Sequence, residues 1–124
     1  MSEKKLAGLW IDRQKAIVVT NHDSQDVSEF KIAGTIETEV KDPKFYEQAA
    51  HSAENKLRVQ FFKEVGQLIT NSEELFITGP GISQEELKNY LLETPQFKNL
   101  KIELGVAQKM DENNVLKEVI HHYS

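Results

Sequence analysis

The chain has 124 residues and a mass of 14.2 kDa, with 15 Lys and Arg against 20 Asp and Glu and a formal net charge of −5. That length suits a single core, so one domain over residues 1–124 is expected, and the acidic balance makes any nucleic-acid contact a local one. With no cysteine, disulfides and thiolate metal sites are excluded, and no long apolar run marks a signal peptide or a membrane span, which points to the cytoplasm.

Residues 6–12 and 15–21 are β-rich runs on either side of Arg13-Gln14 and read as a hairpin, with Asp12 at the edge of its turn. A polar link, HDSQD, follows at 22–26. Residues 27–33 alternate through Phe30 and Ile32 as a third strand, and 35–40 alternate again as a shorter continuation after Gly34. Residues 41–53 have weak periodicity, contain Asp42-Pro43 and Phe45-Tyr46, and read as a mobile loop.

From Glu54 to Asn71 the spacing turns helical, with Leu57, Phe61, Val65 and Leu68 on one stripe; Gly66 inside it suggests a close approach to the sheet. The run of Leu75, Phe76 and Ile77 predicts a central strand over 74–78, buried on both faces. Gly79-Pro80-Gly81 breaks it, and Ser83 with Glu86 three residues on has the spacing of a capping box. The helix so started carries Leu87, Tyr90 and Leu91 on one face and stops at Thr94-Pro95. Residues 100–106 alternate as a last strand, and Asp111 caps a final helix with Val115, Leu116, Val119, Ile120 and Tyr123 inward. The order β-β-β-α-β-α-β-α predicts an α/β fold with a mixed five-stranded sheet and helices packed on it, the order of the ribonuclease H-like architecture.

Several constellations bear on chemistry. A nuclease of that architecture needs carboxylates converging on divalent metals. Asp12 and Glu54 stand at suitable element ends, but the fourth strand ends in Thr78-Gly79-Pro80 with no acid, so Asp12 reads more simply as a turn residue bonding its own backbone. Gly79, Gly81 and Ser83 precede or open a helix and can present amides to an anion, although no Walker spacing is present and no lysine follows until Lys88. His22, His51, His121 and His122 are not spaced as metal ligands; His121 and His122 suit the negative end of a helix dipole. Lys41, Lys44, Lys56, Arg58 and Lys63, with Phe45 and Tyr46 between them, make a stacking-and-charge surface for RNA or, more simply, a solvated helix face diluted by Glu47, Glu54 and Glu64.

Three segments, LWIDRQKAIVV, ELFITGPGISQEELKNYL and LKIELGVAQKMDENNVLKEVI, resemble the small bacterial proteins called translational machinery proteins. These are homologues of the middle domain of archaeal and eukaryotic peptide-chain release factor one and of Pelota. Trp10-Ile11-Asp12 and Thr78-Gly79-Pro80-Gly81 are the most specific parts of the match. The resemblance implies the same ribonuclease H-like order. In the release factor the loop before the first long helix carries a Gly-Gly-Gln motif that positions water against peptidyl-tRNA. The matching stretch here, His51 to Arg58, has none, and Val65-Gly66-Gln67 falls within the helical stripe. The leading expectation is therefore a non-catalytic domain that contacts the ribosome or RNA through Lys44, Tyr46, His51, Asn55, Lys56 and Arg58. A metal-dependent nuclease or small hydrolase using Asp12 and Glu54, or a module whose acidic surface binds a basic protein, are the alternatives. No cofactor, resident metal, membrane or DNA partner is expected.

Overall fold

The structure, a computed structural model, describes residues 5–22, 30–37 and 50–123, with the backbone alone at 50–57 and 82. Its elements are β1 (Leu6–Ile11), β2 (Lys15–Thr20), β3 (Lys31–Glu37), α1 (Ala50–Leu68), β4 (Glu74–Thr78), α2 (Ile82–Leu92), a 3-10 turn at Pro95–Phe97, β5 (Lys101–Leu104) and α3 (Glu112–Tyr123). The five strands lie in the order β3-β2-β1-β4-β5. β1 and β2 pair antiparallel, as do β2 and β3, whereas β4 runs parallel to both β1 and β5. This is the mixed sheet and ribonuclease H-like order that the alternation predicts.

β1 is the middle strand, and every one of its six residues is buried. Successive side chains leave opposite faces of a strand. Ala7, Leu9 and Ile11 therefore join Ala16 and Val18 of β2 and Leu75 and Ile77 of β4 under Phe61, Phe62 and Val65 of α1 and Leu87 and Leu91 of α2. Leu6 and Trp10 point the other way, to Ile17, Val19, Phe30, Phe76 and the α3 residues Val115 and Val119. The result is three layers, with α1 and α2 on one face and α3 on the other.

Gly8 sets how near α3 can come. A Cβ on Gly8 would overlap both γ-carbons of Val119, so the bare backbone of β1 is the seat of that helix. Asp111 caps α3 as expected, its Oδ1 accepting the Asn114 amide at 2.9 Å. The far end is held by Tyr123, whose hydroxyl donates to the Ala7 carbonyl at 2.9 Å and whose ring stacks on Phe30. His122 does more than face a helix dipole. Its ring stacks on Phe76 at 3.9 Å and its Nε2 lies 3.1 Å from Glu103 Oε2, tying α3 to β5.

Several expectations are corrected. α1 spans Ala50–Leu68 rather than 54–71, so residues 50–53, assigned from sequence to the loop, are helical. The helix ends three residues earlier than expected, and beyond its end Asn71 takes a left-handed φ of 72°. Gly66 approaches the ring of Phe97, 3.3 Å from where a Cβ would stand, and not the sheet. β3 is one strand through Gly34, irregular opposite Val18 and Val19, and the Leu68 side chain fills the space a Cβ at Gly34 would need. Residues 27–29, 38–40 and 41–49 of the expected strands and loop lie outside the described residues. β5 is shorter than 100–106, and its alternation does not produce burial: Leu100 is buried, but Leu104 is 39% and Val106 82% exposed. The strand is at the sheet edge, where Ile102 packs against the core and Leu104 does not.

Two outcomes follow from the α3 seat. Gly8→Ala costs about 2 kcal/mol of unfolding free energy by overpacking, and adding Val119→Ala recovers part of that loss, a coupling read by a denaturant double-mutant cycle. Burial first, and then the charges of Glu74 and Glu103, hold the Tyr123 phenol above its ordinary range. The folded state thus favours the neutral phenol, so stability is full below the unfolded pKa of about 10 and falls as pH rises above it. Melting temperatures across that range fall less steeply for Tyr123→Phe than for wild type.

Candidate functional site

Because β1 and β4 are parallel neighbours, with Trp10 opposite Thr78, their carboxyl ends open on the same edge of the sheet. β3 runs with β1 and α1 returns to the start of β4, so the first turns of α1 and of α2 both stand at that edge. Crevices beyond the carboxyl ends of parallel strands are where α/β folds place their ligands.

The β1–β2 turn forms one wall. Asp12 Oδ1 accepts the amides of Gln14 at 2.8 Å and Lys15 at 2.7 Å, and the Asp12 amide donates to the Lys15 carbonyl at 2.9 Å. Asp12 is thus the turn residue its position suggested. Across from it lies the β4–α2 turn. Asp12, Arg13, Gln14, Pro80 and Ser83 line an open cleft of about 410 Å³ between the two.

Glycine is obligatory in the second wall. Gly79 has φ 154°, and a Cβ there would collide with the Ile11 carbonyl, so β4 leaves the sheet pressed against the backbone of β1. Gly81, with φ 145°, is the residue before α2. The helix therefore begins two residues earlier than the Ser83–Glu86 pattern implies, and Ser83 is not its cap. Gln84 does that work instead. Its Oε1 accepts the Gly81 amide at 2.8 Å, while its Nε2 donates to the Gly79 carbonyl and to the Gly105 carbonyl, each at 2.9 Å. The side chain is 2% exposed, so one amide group joins the ends of β4, α2 and β5 in a dry setting. The sequence signal was present as Gly81 followed three residues later by Gln84, the capping-box spacing with glycine in place of a hydroxyl residue.

Ser83 is left over. It is 6% exposed, lines the cleft, and its hydroxyl has no hydrogen-bond partner among the described residues. Glu86 is likewise free of capping duty and pairs with Arg58, Oε2 to Nη1 at 2.8 Å, each side chain about one-third exposed (33% and 36%). An ion pair so exposed contributes little to stability and exchanges readily.

Of the six residues expected to meet RNA, Lys44 and Tyr46 lie outside the described residues. His51, Asn55 and Lys56 stand on the first turns of α1, where only the backbone is described. Positions 51, 55 and 58 are i, i+4 and i+7 and share one stripe of that helix, whereas position 56 falls roughly 140° away. Arg58 belongs to the stripe and reaches Glu86 of α2. Val65-Gly66-Gln67 is helical, as the periodicity indicated. Glu54 is also on α1 with its side chain outside the described residues. Among the described residues no three His, Asp or Glu side chains are grouped to hold a metal ion, and no helix is long and apolar enough to cross a membrane.

No protein-family model and no curated protein matches the chain. Solved structures do. The chain aligns over 95% of its length with 32% of Pelota from Thermoplasma acidophilum at 16% identity and a TM-score of 0.61. It aligns over 96% with 39% of an archaeal translation termination factor, aRF1, at 12% identity and a TM-score of 0.58. Over 98% of its length it aligns with 35% of Pelota from Archaeoglobus fulgidus, at 14% identity and a TM-score of 0.57. It thus spans about a third of the length of those chains, and at such identities the likeness is one of fold.

Replacing Gln84 by Leu leaves the Gly79 and Gly105 carbonyls without their buried donor. Unfolding then costs about 2 kcal/mol less, a fall in melting temperature of roughly 8 °C measurable by circular dichroism. Ser83→Ala, at the position first read as the cap, does not lower it.

Proposed function

We propose that residues 1–124 form a single non-hydrolytic domain of the release-factor middle-domain type, acting in the cytoplasm by contact with the ribosome or its RNA. The observation that carries this reading is the fold: nearly the whole chain superposes on one part of Pelota and of an archaeal translation termination factor. Three segments of the sequence resemble that same domain type. The stretch from His51 to Arg58 contains no Gly-Gly-Gln, which argues for binding without hydrolysis.

The contact we assign to it is the start of α1 and the segment before it, through Lys44, Tyr46, His51, Asn55, Lys56 and Arg58. Two features support that choice. The first turns of α1 stand at the carboxyl edge beside the cleft, and Arg58 is held by an exposed ion pair that an RNA phosphate can replace. With a net charge of −5 over the whole chain, such a contact depends on these local cations, and it weakens with salt as counterions return to the phosphates.

Sedimentation with ribosomes and separated subunits at low and moderate salt tests it. Wild-type protein co-sediments at low salt, and Lys56→Glu/Arg58→Glu reduces the slope of log affinity against log salt by about 2. Protein that stays at the top of the gradient at low salt overturns the reading. Binding that survives ribonuclease and is unchanged by the charge reversal assigns the surface to a protein partner instead.

A further inference from the structure

We propose that the cleft between the β1–β2 turn and the start of α2 binds one singly charged phosphoryl group, held by Arg13, the Ser83 hydroxyl and the first-turn amides of α2. The inference does not depend on the ribosomal reading, since it uses none of the residues assigned to that contact. α2 has eleven residues, and the amides of its first turn have no intrahelical acceptor. The Gly81 amide is taken by Gln84, which leaves those of residues 82 and 83 at the positive end of the helix dipole.

Ser83 is the independent sign of a ligand. A hydroxyl 6% exposed and without a partner among the described residues is costly to bury, and the cleft it lines is where a partner can reach it. Across the cleft, Arg13 is exposed and its guanidinium forms no ion pair among the described residues, although Asp12 is its neighbour in the chain. Its planar fork of donors matches a phosphoryl group. Asp12 sets the charge of the ligand. Its carboxylate offsets Arg13, so the cleft has only the helix dipole in surplus, which accommodates one negative charge and repels a second.

A phosphodiester of an RNA strand and a free phosphate monoanion share that chemistry. The test is an amide-resolved NMR titration of the full chain, with inorganic phosphate against potassium chloride of equal ionic strength, and separately with a single-stranded RNA hexamer. The phosphate titration runs at about pH 5.5 and about pH 8, on either side of the second ionisation of a phosphoryl group. Saturable shifts confined to Arg13, Ile82 and Ser83 are expected, with phosphate bound more weakly at the higher pH. Arg13→Ala and Ser83→Ala each weaken binding about tenfold, the size of one charge-assisted hydrogen bond. Ser83→Ala keeps its melting temperature, so its loss of binding is not a loss of fold. Tighter binding of the hexamer than of phosphate identifies the strand as the source, and the reverse identifies the free anion. Shifts that do not saturate, shifts that chloride reproduces, binding unchanged in both variants, or stronger phosphate binding at the higher pH each overturn the proposal.

Discussion

β1 has no face for water. All six of its residues are buried, and a strand in that position folds only if both faces are covered and both edges paired. The rest of the architecture answers that requirement. β2 and β4 take the two edges, α1 and α2 take the face of Leu9 and Ile11, and α3 takes the face of Trp10. The second cover is the demanding one, because α3 alone must close it. Gly8 lets Val119 reach the sheet backbone, and Trp10 satisfies its buried indole by donating to the Gln108 carbonyl at 3.1 Å. Tyr123 and His122 fasten the last turn to β1, β4 and β5. Apolar area supplies most of the stabilisation, while these few polar contacts decide where the helix stops.

The same close packing creates the carboxyl edge. β4 cannot continue past Thr78, since Gly79 is pressed against Ile11, and the chain turns there into α2. A turn so tight leaves carbonyls and amides inside the protein. Gln84 satisfies three of them with one side chain and, by reaching Gly105, fixes β5 to the same turn. Gln84 fixes the turn that carries Ser83 and Asp12 the turn that carries Arg13, the two walls of the cleft.

Charge works at a different scale from packing in this protein. The net charge of −5 opposes binding to polyanions over the molecule as a whole. A local contact is still feasible where cations are few but accessible. Arg58 and Arg13 both stand near the carboxyl edge, one in an exposed pair with Glu86 and the other without a carboxylate partner among the described residues. Neither is committed to the fold, and that leaves both available to a ligand.

Periodicity alone determined the class of each element, the five-stranded mixed sheet, the limits of β4 at Glu74–Thr78, the hairpin with Asp12 in its turn, and the Asp111 cap of α3. The elements, the turn and the cap depend on neighbours in the chain, so local patterns of apolar residues and hydrogen-bonding side chains reveal them, and the sheet follows from the order of the elements. Tertiary structure decided the rest. Ser83 and Glu86 have the spacing of a cap, yet the close approach of Gly79 to β1 moves the helix start to Ile82 and passes the role to Gln84, whose third partner, Gly105, is 21 residues away. Residues 100–106 alternate as a buried strand does, but β5 is at an edge and Val106 is 82% exposed. Likewise, nothing local shows that Gly8 lies beneath Val119 or that Arg58 meets Glu86. Each of those outcomes was set by a surface brought up from a distant part of the chain, which no window of sequence contains.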